Sequence, residues 1–286
     1  VILDVLYALS PFKNPLMTHA FIAAILSSIC FGIVGSFVVV KRISSIAGSI
    51  AHSSLGGIGL ALFLQYNLGI LWFSPLLGAL FSALVSALII GLVSLFASQR
   101  EDTVIGVVWA VGMAIGLLFV TQTKRYTDAM SYLFGEILFI SPSELLIIVA
   151  LDAVIISLCM IFYNKLLAVS FDQEFAKLRG VRVELYYLLL LFLTALTIVL
   201  MAMIVGILLV IALLIIPQAI AGMFSKKLWQ MMLVSTLFCL AFTTAGLYVS
   251  YIYNLYAGPT IILCAGGVYL LLLLFTVFRN KLFRSV

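Results

Sequence analysis

Charged side chains are scarce in this sequence: Asp, Glu, Lys and Arg make up 9% of 286 residues, against roughly a quarter in an ordinary soluble domain. A soluble fold of this length cannot cover its surface with so few polar groups, which excludes a cytosolic globular enzyme. The polar and apolar alternation over about ten positions that marks a membrane β-strand is missing as well. There is no G-x-x-x-x-G-K-[ST] phosphate loop, no H-E-x-x-H and no nucleophile elbow, so the chain is expected to hydrolyse nothing itself. Cys30, Cys159, Cys239 and Cys264 all fall inside apolar runs and form no C-x-x-C pair, which points to buried thiols and away from a zinc site. No Lys or Arg precedes Lys13 and no small-residue cleavage site follows it, so the amino end does not read as a signal peptide.

What the sequence has in abundance is apolar residues, 65% of the total. They come in unbroken runs such as Leu185 to Gly222 and Ile261 to Phe278. Only a helix satisfies its own backbone in lipid, and about 20 apolar residues cross the hydrocarbon core. Nine spans are predicted, at 17–40, 47–65, 72–97, 103–121, 143–163, 185–203, 205–224, 228–250 and 259–278. The run 185–224 is too long for one crossing, so an uncharged turn near Ala202 to Gly206 is expected to divide it. No internal repeat stands out, and residues 1–286 read as one all-α, polytopic membrane domain.

Orientation follows from the basic residues, which sit between spans. Twelve of the fifteen Lys and Arg lie in alternate connections: Lys41, Arg42, Arg100, Lys165, Lys177, Arg179, Arg182, Lys226, Lys227, Arg279, Lys281 and Arg284. By the positive-inside rule those connections are cytoplasmic. Lys13, Lys124 and Arg125 face outward, with the amino end. Topology thus accounts for the net charge of +5, and nucleic acid is not an expected partner.

The longest cytoplasmic connection, about 164–184, differs in composition from everything around it. Phe171, Phe175 and Leu178 recur at helical spacing among Asp172, Glu174, Lys177 and Arg179, and Gly180 is placed as a C-cap. This predicts a short amphipathic helix over 171–179. It either lies on lipid headgroups or docks a cytoplasmic partner.

Few polar residues lie within the spans, and each has two readings. His52 shares a helical face with Ser45, Gly48, Ser49, Gly56 and Gly59; small residues permit close helix packing, whereas imidazole is a common ligand of borderline divalent metals. Asp152, midway along the fifth span, is either a functional carboxylate or a structural acid. Asp128 and Glu136 lie in an outward loop, as solvated charges or as first contacts for an arriving cation. Glu101 and Asp102 open the fourth span, where acids favour the positive end of the helix dipole. Pro217 interrupts the seventh span and frees the carbonyl of Leu213, and Gln218 adds an amide; a packing kink and a break beside a transport path are both consistent with this.

Six segments carry a resemblance. KRISSIAGSIAHSSLGG (Lys41 to Gly57), EDTVIG (Glu101 to Gly106), YLFGE (Tyr132 to Glu136), SFDQEFAKLRGV (Ser170 to Val181), VGILLVIALLIIP (Val205 to Pro217) and AGPTIILCA (Ala257 to Ala265), in this order, resemble the zinc, manganese and iron permeases of ABC importers, most of all the zinc-uptake permeases. The similarity runs from about Gly32 to Leu273. It implies an importer permease of the larger (type II) kind in a bacterial cytoplasmic membrane. Its implied partners are cytoplasmic ATP-binding subunits, an extracytoplasmic metal-binding protein and a second permease copy. No permanently bound cofactor is implied; ATP belongs to the partner, and a divalent metal ion, zinc before manganese or iron, is the cargo.

The resemblance also sorts the candidate residues. It places His52, with Asp152, Glu136 and Asp128, along the metal path, and Phe171, Asp172, Glu174, Phe175, Ala176 and Gly180 at the ATPase contact. Two positions depart from the family pattern: Gly48 stands where an aspartate is expected four residues before the histidine, and Gln218 follows the proline where a small residue is usual. The main alternative is a secondary transporter in which Asp152 carries a proton and no ATPase is needed. An intramembrane enzyme lacks any paired nucleophile and base.

Overall fold

The computed structural model describes residues 15–96, 100–124, 133, 135 and 142–284. The elements are α1 (Pro15–Val40), α2 (Ser44–Leu68), α3 (Pro75–Phe96), α4 (Glu101–Gln122), α5 (Pro142–Ile161), α6 (Tyr163–Phe171), α7 (Gln173–Leu178), α8 (Val183–Val205), α9 (Ile207–Phe224), α10 (Leu228–Tyr253) and α11 (Ala257–Arg284). Eight of these are long and apolar enough to cross a membrane, and the count is nine if α5 and α6, which meet at a bend of 71°, are taken as one span. The expected spans therefore stand, within a few residues at each end. Most buried apolar side chains form one contiguous cluster, with a small satellite of Ile220, Phe242 and Ala265.

The divided run needs no turn. A single residue, Gly206, at φ 89°, receives the end of α8 and starts α9, with its N–H on the Ala202 carbonyl at 3.1 Å and its own carbonyl taking Val210 N–H at 3.1 Å. Gly135 packs directly on Val205 and Gly206, where a Cβ would collide with backbone. The predicted amphipathic helix is also corrected. Phe171 ends α6, and Asp172 breaks the chain with extended backbone and caps α7, its side chain accepting from Phe175 N–H at 2.9 Å. An aspartate so placed satisfies an otherwise unpaired first-turn donor, which outweighs the continuing apolar period. The helix ends as expected at Gly180 (φ 77°), with Val181 N–H on Ala176 O and Gly180 N–H on Lys177 O, the paired bonds of a Schellman stop.

Side-chain size decides the packing. α2 is the most buried span and the least apolar. Its small residues bring it against two neighbours: Gly56 meets Gly112 and Gly59 meets Gly116 on α4, while Gly57 meets Gly78 on α3. Ser49 donates to the Ile105 carbonyl at 2.9 Å, and Ser82 of α3 donates to the Ser53 carbonyl at 2.5 Å. α2 and α4 therefore run parallel in a steady register, from Ser49 beside Ile105 up to Asn67 Nδ2 on the Gln122 carbonyl at 2.9 Å.

Close packing of this kind substitutes for hydrophobic driving force between helices in lipid. It also separates the glycines by role. Gly56 and Gly59 admit a neighbouring helix, and on the His52 face only Gly48 is open, with nothing within 4 Å of where its Cβ would be.

Candidate metal path and coupling surface

His52 lies at the rim of the α2–α4 seam. Its ring stacks on Trp109 of α4, with centroids 5.0 Å apart and planes at 22°. Nδ1 is buried and has no hydrogen-bond partner, which leaves Nε2 as the accessible ring nitrogen. A histidine that served only to tie helices together would spend a ring nitrogen on a backbone carbonyl, and His52 makes no such bond among the described residues. Gly48 leaves open space one turn before His52, and Gly106 leaves it one turn before Trp109. Among the described residues no three His, Cys, Asp or Glu side chains converge as a metal cluster.

Asp152 stands elsewhere. It is 3% exposed, its polar neighbour is the Cys30 thiol of α1, and neither carboxylate oxygen takes a well-formed hydrogen bond among the described residues. Cys30 Sγ is 3.6 Å from Thr197 Oγ1 of α8. That hydroxyl donates to Leu193 O, so the thiol is the donor between them. α5 packs on α1, α8 and α6, whereas α2 packs chiefly on α4 and α3. The structure thus puts His52 and Asp152 in separate seams. Asp128 and Glu136 lie outside the described residues.

Pro217 lies buried within α9, which runs on through it to Phe224. The Leu213 carbonyl that the proline leaves without its helical donor takes the Cys239 thiol of α10 at 3.5 Å. Gln218, fully buried, donates through Nε2 to the Phe31 carbonyl of α1 at 2.7 Å, and Gly35 of α1 admits its amide closely. Irregular backbone at membrane depth survives where protein satisfies it, and here α1 and α10 do so.

At the end of the molecule that carries the basic connections, a polar cavity of about 310 Å³ is lined by Lys41, Arg42, Ser45, Ser94, Glu101 and Tyr187, among others. Tyr187 OH is 3.5 Å from Glu101 Oε1 and 3.2 Å from Ser94 Oγ, and Lys41 Nζ sits 5.8 Å from the centre of its ring. Burial pushes the Lys41 ammonium below its ordinary pKa, against the pull of Glu101 and Asp172. Gln173, the first residue of α7, lines the same cavity. Glu101 and Asp102 do occupy the first turn of α4, and Glu101 has this second role.

The face of α6 and α7 is the reverse of a buried amphipathic helix. Ala176 is buried, while Phe171, Phe175 and Leu178 are 66%, 52% and 87% exposed. Arg179 covers the Phe175 ring at 4.9 Å. Reading the sequence missed Trp109 and Tyr187, since an aromatic residue in an apolar run is ordinary. The available signal was positional: Trp109 follows His52 at nearly the interval that separates Ile105 from Ser49, but that interval gains meaning only once the two helices are known to run parallel.

A family model described as the ABC 3 transport family matches residues 13–276. The chain is 40% identical over 261 residues to a "Probable metal transport system membrane protein" of Chlamydia trachomatis, covering 91% of this chain and 89% of that one. It is 32% identical over 270 residues to the manganese transport system membrane protein MntC of Listeria monocytogenes, covering 94% of each. In the solved structure of PsaBC from Streptococcus pneumoniae in complex with Fab, one chain superposes with a TM-score of 0.82 at 31% identity, over 95% of both chains.

Proposed function

This chain belongs to the ABC 3 transport family, and from that premise we propose that it is the permease subunit of an ATP-driven importer of divalent transition-metal ions, with His52 as a transit ligand. The observation that carries the reading is the state of His52: an imidazole on the most buried span, stacked on Trp109, beside open space at Gly48. The relatives named for metal and for manganese transport support the cargo class. Zinc is the expected cargo, because the donor is a neutral nitrogen with no carboxylate one turn before it; manganese, which prefers oxygen, is the competitor.

The exposed apolar set Phe171, Phe175 and Leu178 supports docking of a cytoplasmic ATPase, since aromatic anchors dominate protein interfaces. ATP binding and hydrolysis there would switch access to His52 between the two sides. A second permease copy and an extracytoplasmic metal-binding protein complete the importer. The ion crosses without redox chemistry, and a path with few ligands releases what it binds. The surroundings of Asp152, closed off between α1, α5 and α8, lend no support to a proton-coupled mechanism.

The test uses the whole importer reconstituted in vesicles. His52→Ala is expected to lower maximal zinc uptake and to flatten its decline at acid pH, because a protonated imidazole cannot ligate. Uptake at the parental rate with the parental pH profile would make His52 a packing residue.

A further inference from the structure

His52 has one side-chain neighbour whose geometry controls what the imidazole can do. The indole of Trp109 covers one face of the ring. Trp109 is itself held: its Nε1–H donates to Met113 Sδ, one turn further along α4, at 3.1 Å. The helix that carries it is fixed against α2 by the glycine contacts and by the Ser49 bond to Ile105. An interfacial tryptophan sits at headgroup level with its N–H in the polar layer. Trp109 is eight residues beyond the start of α4, about 12 Å along it, and its N–H is spent on a thioether of its own helix.

The consequences for the ligand follow from orbital direction. The lone pair of an imidazole nitrogen lies in the ring plane, so a ring free to turn about its Cβ–Cγ bond spreads that lone pair over a cone. Here one face is covered, Nδ1 is buried without a partner, and Gly48 and Gly106 leave space one turn below.

We propose that Trp109 is a positioning residue for transport, which holds the His52 ring so that Nε2 presents its lone pair to a divalent cation on the side left open by Gly48 and Gly106. The inference rests on the reading of His52 as a cation ligand. Trp109 does not touch the ion; it removes the freedom that His52 would otherwise lose on ligation. An aromatic pair at this separation is worth about threefold to tenfold in an equilibrium constant.

A double-mutant cycle on the reconstituted importer tests this, with zinc alone and then manganese alone as the ion. Trp109→Ala is expected to raise the half-saturating zinc concentration by about threefold to tenfold, and Trp109→Phe, which keeps an aromatic face, to restore most of it. In the His52→Ala background Trp109→Ala should change nothing further, since the coupling is between these two side chains. An equal effect in both backgrounds, or none in the parent, overturns the proposal. The reading of the path fails separately: it falls if His52→Ala matches the parent, whereas a defective His52→Ala beside a normal Trp109→Ala removes the positioning role alone. Should Trp109→Ala not reach the membrane, a Trp72→Phe, Trp229→Phe importer leaves Trp109 as the permease's sole tryptophan. Its emission should then shift on zinc addition and stay constant in His52→Ala; constancy in both refutes the contact.

Discussion

Restoring a carboxylate one turn before His52, by Gly48→Asp, asks the structure for two opposed quantities. The steric cost is nil, because no atom lies within 4 Å of the added Cβ. The helix gains a few tenths of a kcal/mol, since glycine is the poorer helix former. The electrostatic cost decides the outcome, and at the bilayer centre an aspartate costs about 2.5–3.5 kcal/mol.

Gly48 is not at the centre. α2 has 25 residues, about 37 Å of helix across a hydrocarbon core of about 30 Å, so it overhangs by roughly 3–4 Å at each end. Gly48 lies about 6 Å from the first residue of α2, hence only about 2–3 Å inside the apolar region, where penalties for charge fall to roughly 0–1 kcal/mol. A net cost of less than about 1 kcal/mol leaves a fold of ordinary stability intact. Against it, an oxygen ligand added to the nitrogen of His52 is expected to lower the half-saturating manganese concentration by about tenfold, equivalent to about 1.4 kcal/mol, and to slow zinc release. Uptake of each metal by reconstituted vesicles, over a concentration series, measures both. A well-folded Gly48→Asp importer with unchanged kinetics for both metals would refute the placement of the path at His52.

Two further outcomes are expected. Phe175→Asp puts a charge into the exposed apolar set of α7 while Ala176 keeps the helix seated; ATPase co-purification and uptake should drop together with the permease level unchanged, and undiminished co-purification would assign that face to lipid. Single cysteines at Leu178 and Tyr256, 87% and 82% exposed, in a Cys264→Ser background should be labelled by an impermeant reagent from opposite sides. Labelling of both positions from one side contradicts the orientation drawn from the basic residues.

The spans were legible because lipid imposes one rule on every crossing, and Leu185 to Gly222 announced its own division by length. That the division is one glycine, Gly206 at φ 89°, was not legible: nothing in an apolar run distinguishes a turn from a kink. The helix over 171–179 was misread at one residue because Phe171, Phe175 and Leu178 keep helical spacing across the break, while the cap that makes the break is a single aspartate. At Pro217 the sequence shows a freed carbonyl but not its partner, since Cys239 comes from a helix whose register is a tertiary fact.

The same limit explains the candidate path. Small residues at Gly56, Gly57 and Gly59 and a histidine at His52 on one span are compatible with packing or with passage, and the structure divides the labour by direction around the helix. The glycines accept the backbones of α3 and α4, which fixes α2 in depth and rotation. His52 is left at the edge of that contact, with its ring covered from one side by the helix that the glycines brought there. Close packing therefore precedes the site: without the Gly56–Gly112 and Gly59–Gly116 approach, Trp109 would not reach the imidazole. A side chain larger than glycine at those positions should thus disturb transport through the orientation of His52 even if the bundle still forms, because the seam that stabilises α2 is also what aims its one imidazole.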